Sequence, residues 1–366
     1  MKFELKKIKS MKSITTETYS IHFNSNAYQE LNRYLKAQQF SRIFVLVDTH
    51  THQHCFTKFM SEVETDIPFE IIEIEAGEHH KTIDTCVGVW NALSELEADR
   101  KSIIINLGGG VVTDLGGFVA CTFKRGIKYI NVPTSLLAMV DASVGGKTGV
   151  DLGTLKNQVG VIHSGDMVLI DTSFLETLPQ NHLKSGLAEM LKHGLIYDRD
   201  YWNKLTDLSK LTLDDLDALI HESVEIKKEI VTKDPYEQTI RKHLNFGHTL
   251  GHAIESFYLS DNNKTDLLHG EAIAIGMILE CFISSELLQF SKIDLENITK
   301  VISNTYKKVT IDPSDYEAII ELLKYDKKNE HGNINFVLLE SIGKPKIDCL
   351  VDNKLIVKAF EYYNNN

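Results

Sequence analysis

The sequence lacks paired cysteines. Its five, Cys55, Cys86, Cys121, Cys281 and Cys349, are scattered along 366 residues with no CxxC spacing, which excludes a zinc ribbon, argues against a disulfide framework and leads us to expect a reducing compartment. A long apolar run is also missing: the longest, IAIGMIL at 273–279, stands between Glu271 and Glu280 and is too short to span a bilayer. The opening MKFELKKIKS alternates charge with apolar residues and holds no apolar signal segment, so a cytoplasmic protein with no membrane partner is expected. Positive charge is in deficit, 39 Lys and Arg against 51 Asp and Glu for a net charge of −12, which argues against a nucleic-acid partner because phosphate-backbone affinity comes from clustered bases. A small anionic substrate remains compatible, since a local pocket of bases opposes the global field. Internal repeats and low-complexity segments are absent as well.

What is present changes character along the chain. Short β-branched runs, RIFVLVD (42–48), FEIIEIEA (69–76), KSIIINLGGG (101–110), KYINVPT (128–134) and DMVLIDT (166–172), alternate with helix-like stretches such as TIDTCVGVWNALSELE. That rhythm predicts an α/β domain with a mostly parallel sheet and ligands at the carboxyl ends of its strands. The first forty residues read as a hairpin. From about residue 179 the pattern becomes long amphipathic helices, LDDLDALIHESVEIKKEIVT and LLHGEAIAIGMILECFISSELL among them. The boundary is placed at Leu178: 1–178 as a nucleotide-binding α/β domain with a Rossmann-like site, 179–366 as an all-α domain for metal and substrate.

Two glycine-rich segments bear on phosphate chemistry. VDASVGGKTGV (140–150) imitates a P-loop, but the position five before Gly146 is Asp141 rather than glycine, so the pattern fails and what remains is a turn presenting Lys147 near Asp141. INLGGGVVTDLGGF instead sets Gly108, Gly109 and Gly110 after an apolar strand and at a helix start, where bare N–H groups and the helix dipole favour a pyrophosphate. A tight strand-to-helix turn would read the same way. Asp48, ending an earlier strand, tips the reading toward a dinucleotide, because a carboxylate there can hold ribose hydroxyls. The acid precedes the glycines, the reverse of the usual fingerprint, so non-standard wiring is expected.

In the second half HLNFGHTLGHAIES spaces His248 and His252 four apart on a predicted helix, LLHGEA opens the next helix with His269, and GLAEMLKHG carries Glu189 and Lys192 three apart. Two histidines and a glutamate from three helices make a three-ligand site with one open position, as catalytic zinc requires. The spacing equally permits a histidine pair with no metal. Thr249 stands where HExxH has its glutamate, which disfavours a zinc protease. The histidines of DTHTHQH and EHH read as loop residues.

Taken in order, GGGVVTDLGGF, FKRG, VPTSLLAMVDASVGGKTGVD, LKNQVG, LIDTSFLETLP, GLAEMLKHGLI, RKHLNFGHTLGHAIE, LHGEA and DKKNEHGNINFVLLESIG resemble one family. It is the 3-dehydroquinate synthases, NAD- and zinc-dependent sugar phosphate cyclases of the shikimate route to chorismate and the aromatic amino acids. The resemblance runs from about residue 42 to about 343. It implies Glu189, His248 and His269 as ligands of Zn2+ (or Co2+), with His252 in the substrate pocket. It implies NAD contacts from Asp48, Glu78, Lys81, Gly109, Gly110, Asp114, Thr134, Ser135, Lys147, Lys156 and Thr177. Catalytic roles fall to Lys147, Lys192, Asp141 and His252, and substrate contacts to Arg125, Asn157, Lys227, Arg241, Asn245 and Lys327 or Lys328, with Lys156 beside them. His50 and His193 depart from the family pattern.

The implied substrate is 3-deoxy-D-arabino-heptulosonate 7-phosphate, and a homodimer is implied. NAD takes a hydride at C5, the ketone acidifies C6 so that phosphate leaves, the hydride returns, the ring opens and an intramolecular aldol addition closes the carbocycle, with zinc as Lewis acid. Arg241 and Lys227 are then candidates for the substrate carboxylate, and Arg125, Lys147, Asn245 and His252 for its phosphate. Rival readings are another sugar phosphate cyclase such as a 2-deoxy-scyllo-inosose synthase, a metal-dependent polyol dehydrogenase, and a non-catalytic NAD-binding protein.

Overall fold

The computed structural model describes residues 11–153, 155–206, 213–261, 263–325 and 334–366. By its contacts the chain divides into two compact units, Met1–Pro179 with Leu211–Lys228, and Gln180–Lys210 with Glu229–Asn366. Residues 211–228, assigned from sequence to the second domain, group with the first. The start of helix Leu213–Lys233 is tied there by Asn24 Nδ2 on Asp217 (3.0 Å), by the His221 ring on the Lys12 carbonyl (3.0 Å) and by Phe23 packed on His221.

The first unit holds β1 (Ile14–Thr15), β2 (Ser20–Phe23), β3 (Ile43–Asp48), β4 (Phe69–Ile74), β5 (Ile103–Gly108), β6 (Lys128–Pro133), β7 (Lys147–Leu152), β8 (Leu155–Ile162) and β9 (Met167–Ile170). Seven of these form one sheet in the order β1-β2-β9-β6-β5-β3-β4, parallel throughout except for the β1/β2 pair. All five strands expected from the β-branched runs are present. β3 and β5 are buried along nearly their whole length, as helix-covered parallel strands must be. Among the described residues the N-terminal hairpin covers β1 and β2. The chain then becomes the helix Asn24–Ala37, whose Ala27, Tyr28, Leu31 and Leu35 form one buried stripe.

β7 and β8 were not expected. They pair antiparallel as a separate ribbon, so Lys147 opens a strand rather than sitting in a flexible turn. Glycine misled the sequence reading because its service here is close approach: a Cβ on Gly160 would lie 2.2 Å from the Thr148 carbonyl, and one on Gly149 2.6 Å from that of Val159.

The second unit is mostly helical, and its centre is the helix His269–Leu287, which buries residues all round its circumference. It meets the helix His248–Ser260 so closely that a Cβ on Gly276 would lie 2.0 Å from the Gly247 oxygen. The all-α expectation needs correction. β10 (Asn335–Ser341) and β11 (Lys344–Leu350) form an antiparallel hairpin around Gly343, whose φ is 83°. The apolar run FVLL lacks alternation and cannot be told from buried helix by period alone. The Leu339 N–H donates to Ser284 Oγ at 2.9 Å, fastening the hairpin to the central helix. No helix among the described residues is long and apolar enough to cross a membrane.

Candidate functional site

In the first unit the sheet itself explains the unusual order of acid and glycines. β3, which ends in Asp48, pairs directly with β5, which ends in Gly108, and β4 lies on the other side of β3. The chain steps outward to β4 and then crosses back to β5, so the strand order reverses between β3 and β5. Asp48 and the glycine turn therefore stand at neighbouring carboxyl ends, at the crevice where such sheets bind ligands. Gly109 caps the helix Gly110–Thr122 without a side chain, so its first N–H groups are presented bare. A Cβ on Gly109 would come 3.4 Å from Ser135 Oγ, and the Thr134 N–H donates to the Gly108 carbonyl at 3.0 Å. Asp48 Oδ1 accepts from the Thr51 N–H at 2.7 Å, which leaves Oδ2 outside that cap.

A polar cluster sits on the same unit. Lys81 is buried and donates to Asp114 Oδ2 and to Asn157 Oδ1, both at 2.7 Å. Burial alone would lower the Lys81 pKa, but Asp114, Glu78 and Asp151 more than reverse it, so the ammonium is firmly charged. Burial raises the Asp114 carboxyl against the pull of Lys81. Lys156 pairs with Glu78 at 3.3 Å, and Asn157, in the left-handed region at φ 51°, is held by its N–H on Asp151 Oδ1 at 2.6 Å. Asp141, which chain proximity sets near Lys147, receives Lys227 Nζ on both its carboxylate and its carbonyl at 2.5 Å. Lys147 itself is exposed, and Thr177 Oγ1 donates to the Phe174 carbonyl at 3.2 Å.

Arg125 is not brought to this end of the sheet. Lys124, Arg125 and Gly126 turn through φ of 48°, 68° and 109° just before β6 begins, whereas the glycine turn follows the strand ends. Arg125 lines a cleft of about 610 Å³ with Arg100, Lys101, Lys128, His163 and Asp166. Arg125, implied by the resemblance as a substrate contact, therefore stands at the opposite ends of the strands from the glycine turn; the sequence is silent about which edge of a sheet a loop occupies.

In the second unit three helices deliver Glu189, His248 and His269 to one point. Glu189 Oε1 lies 3.4 Å from His248 Nε2 and 3.3 Å from His269 Nε2, and the carboxylate is wholly buried and ion-paired with the buried Lys192. The His248 ring turns its Nδ1 to the Phe246 carbonyl at 3.1 Å, and His269 Nδ1 meets Glu255 Oε2 at 3.3 Å. In each ring Nε2 thus faces Glu189. Burial, then Lys192, push His248 down to about 4, so it is neutral with a free lone pair. Burial also opposes charge on His269, but Glu255 and Glu189 overcome it and raise that ring to about 10. Burial would raise Glu189, yet Lys192 and the histidines hold it well below the usual carboxylate range.

This donor set fits a divalent metal. Two imidazole nitrogens and a carboxylate oxygen converge, and the electrostatics call for a cation where a metal would replace the proton on His269. His252 stands in the same cluster: its ring centroid is 5.1 Å from that of His248 and 5.5 Å from that of His269, and donor atoms of all three histidines lie within 4.8 Å of one another. The strand-end acid, bare helix N-terminus and buried Lys81 likewise suit a dinucleotide. Arg241 is buried, its backbone N–H on Asp234 and its Nη1 on the Pro235 carbonyl at 2.5 Å, while Asn245 Nδ2 donates to Glu237 at 2.8 Å. Lys327 and Lys328 lie outside the described residues. Sequence reasoning missed Glu255, Asp234, Glu237 and Glu280. Only Glu255 left a signal, seven residues after His248 on the same helical face.

Comparison with known proteins identifies two consecutive segments, meeting a few residues beyond Pro179. Residues 71–185 match the family model "3-dehydroquinate synthase N-terminal" and 186–329 match "3-dehydroquinate synthase C-terminal". A 3-dehydroquinate synthase of Parabacteroides distasonis is 41% identical over 339 residues, covering 92% of this chain and 95% of the relative. Among solved structures, a 2-deoxy-scyllo-inosose synthase complexed with carbaglucose-6-phosphate, NAD+ and Co2+ superposes with a TM-score of 0.80 at 26% identity, over 96% of this chain and 99% of that one. A 2-epi-5-epi-valiolone synthase from Streptomyces hygroscopicus subsp. jinggangensis with NAD+ and Zn2+ bound shares the fold at a TM-score of 0.83 and 24% identity, over 97% and 99%.

Proposed function

Because the chain belongs to the 3-dehydroquinate synthase family, we propose that it converts 3-deoxy-D-arabino-heptulosonate 7-phosphate to 3-dehydroquinate and phosphate, using NAD and a divalent metal without net oxidation. The observation that carries this reading is the buried Glu189, His248 and His269 cluster with Lys192 beside it. When bound, NAD supplies reversible hydride acceptance and the metal supplies Lewis acidity toward substrate hydroxyls.

The residues of the first unit divide into two tasks. Gly109, Gly110 and the helix behind them offer N–H groups and a positive dipole end to the pyrophosphate, while Asp48 accepts from ribose hydroxyls. Thr134, Ser135 and Thr177 line the same strand ends, and Glu78 with Asp114 orients Lys156 and Lys81. Lys147 and Asn157 offer donors to an anionic substrate, and Lys227, aimed by Asp141, adds a fixed positive charge.

In the second unit the Lys192 side chain, ion-paired with the buried Glu189 carboxylate, is placed to stabilise negative charge developing nearby. Arg241 is the candidate for the substrate carboxylate, for which a planar guanidinium offers two parallel donors. Asn245 and His252 are the candidates for phosphate. The departing phosphate can take the C6 proton itself, so no separate base is needed.

A second reading is a 2-deoxy-scyllo-inosose synthase, whose substrate has no carboxylate. The higher identity to the dehydroquinate synthases and the buried Arg241 favour the first. The deciding assay incubates zinc-loaded protein and catalytic NAD with the heptulosonate phosphate, following inorganic phosphate and NADH absorbance together. Stoichiometric phosphate without accumulating NADH is expected, with dehydroquinate as product. No phosphate release, or net NADH from neutral polyols, would overturn the proposal.

A further inference from the structure

We propose that Glu255 is a positioning residue of the metal centre, a buried carboxylate that locks the His269 ring with Nε2 toward the metal. The inference rests on Glu189, His248 and His269 being the ligands. Glu255 Oε2 is 3.3 Å from Nδ1 of His269, and Glu189 Oε1 is 3.3 Å from Nε2 of the same ring. These nitrogens lie on different edges of the imidazole, so a flip that places carbon atoms there breaks both contacts at once. With Nδ1–H donating to Glu255, the Nε2 lone pair is the one left for a metal.

The helix His248–Ser260 makes this inexpensive to build. His248, His252 and Glu255 follow at i, i+4 and i+7, so one helical face carries two histidines and the acid that orients a histidine on the next helix. Glu255 is only 4% exposed, and a carboxylate so placed adds a negative charge behind the ring that strengthens its donation to a cation. His248 is held differently, by the neutral Phe246 carbonyl. The two histidines are therefore unequal, and His269 is the one whose basicity depends on a second acid.

The test uses metal-free parent and Glu255→Gln protein, titrated with Zn2+ against a chromophoric chelator, with visible absorption of the Co2+ forms compared alongside. Gln keeps shape and hydrogen-bonding capacity but removes the charge. We expect zinc affinity to fall roughly 10- to 100-fold and the cobalt bands to shift, with NAD affinity at the parent level. Zinc affinity within roughly twofold of parent, well short of the loss usual for such carboxylates, with a superimposable cobalt spectrum overturns the role of Glu255. Should Glu255→Gln fail to fold, Glu255→Asp keeps the charge but withdraws it by one methylene; a measurable loss of affinity supports the proposal and parent-level affinity overturns it. A parent protein that takes up no zinc overturns the metal-centre reading beneath it, which separates the two failures.

Discussion

At the scale of single residues, Asp234 fixes the backbone that leads to Arg241, the proposed partner of the substrate carboxylate. Its carboxylate accepts from the backbone N–H groups of Gln238 (3.0 Å), Thr239 (2.6 Å) and Arg241 (3.1 Å), closing the loop that ends in Arg241. Burial disfavours its charge, but those donors win and hold its pKa below the ordinary value. Asp234→Ala should cost about 1–3 kcal/mol by leaving N–H groups unpaired, read by urea titration, and should raise KM for the substrate while leaving NAD affinity unchanged. Because the folded pKa is depressed, the stabilisation is full above the unfolded value of about 3.9 and fades as pH falls through the folded one. The parent and variant stabilities should therefore converge on acidification below that point. A constant gap across the acid range would refute the assignment. Residue types at fixed spacing brought Glu189, His248, His252 and His269 into view, and the family resemblance set His252 apart from the other three; nothing of that kind links Asp234 to Arg241, because the link is a carboxylate meeting backbone.

At the scale of elements, the helices His248–Ser260 and His269–Leu287 owe their spacing to glycine. The Gly247 N–H donates to Glu280 Oε2 at 2.6 Å and the Leu250 N–H to Oε1 at 3.3 Å, so a buried acid on one helix caps the other. Gly276 allows the backbones to meet. Gly276→Ala would place its Cβ 2.0 Å from the Gly247 carbonyl oxygen; because backbone must then move, a loss of about 1–3 kcal/mol is expected, measurable by denaturant titration. A variant as stable as the parent would mean the helices part without penalty. The strands of the main sheet were legible as β-branched runs bounded by turns, whereas β7/β8 and β10/β11 were not. In those ribbons pairing creates the strand, and the partner's position is not written in a local pattern.

For the whole molecule, the prediction concerns metal. The protein with its metal removed by a chelator should unfold at lower temperature, and added Zn2+ should restore the transition, since free ligand at a hundred times its Kd stabilises by about 2.7 kcal/mol. Differential scanning calorimetry checks this; an unchanged transition would mean that zinc does not bind the folded chain selectively. NAD added alone should raise stability independently through the first unit.

What the sequence by itself determined is the local chemistry: five strands of the main sheet, a glycine turn at a helix start, the i, i+4 histidines, and a motif series specific enough to name a family. Hydrophobic period, turn chemistry and helical spacing act over a few residues, and a single chain displays them openly. Only the tertiary structure decided that β3 and β5 are neighbours, so that Asp48 and the glycine turn stand at adjacent strand ends although the acid comes first in the chain. It also set Lys227 on Asp141 from 86 positions away, moved Arg125 to the far ends of the strands, and placed Glu255 behind His269. The physical reason is the same in each case: these contacts are selected by burial and by the pairing of buried charge, and both depend on which distant segments share one core.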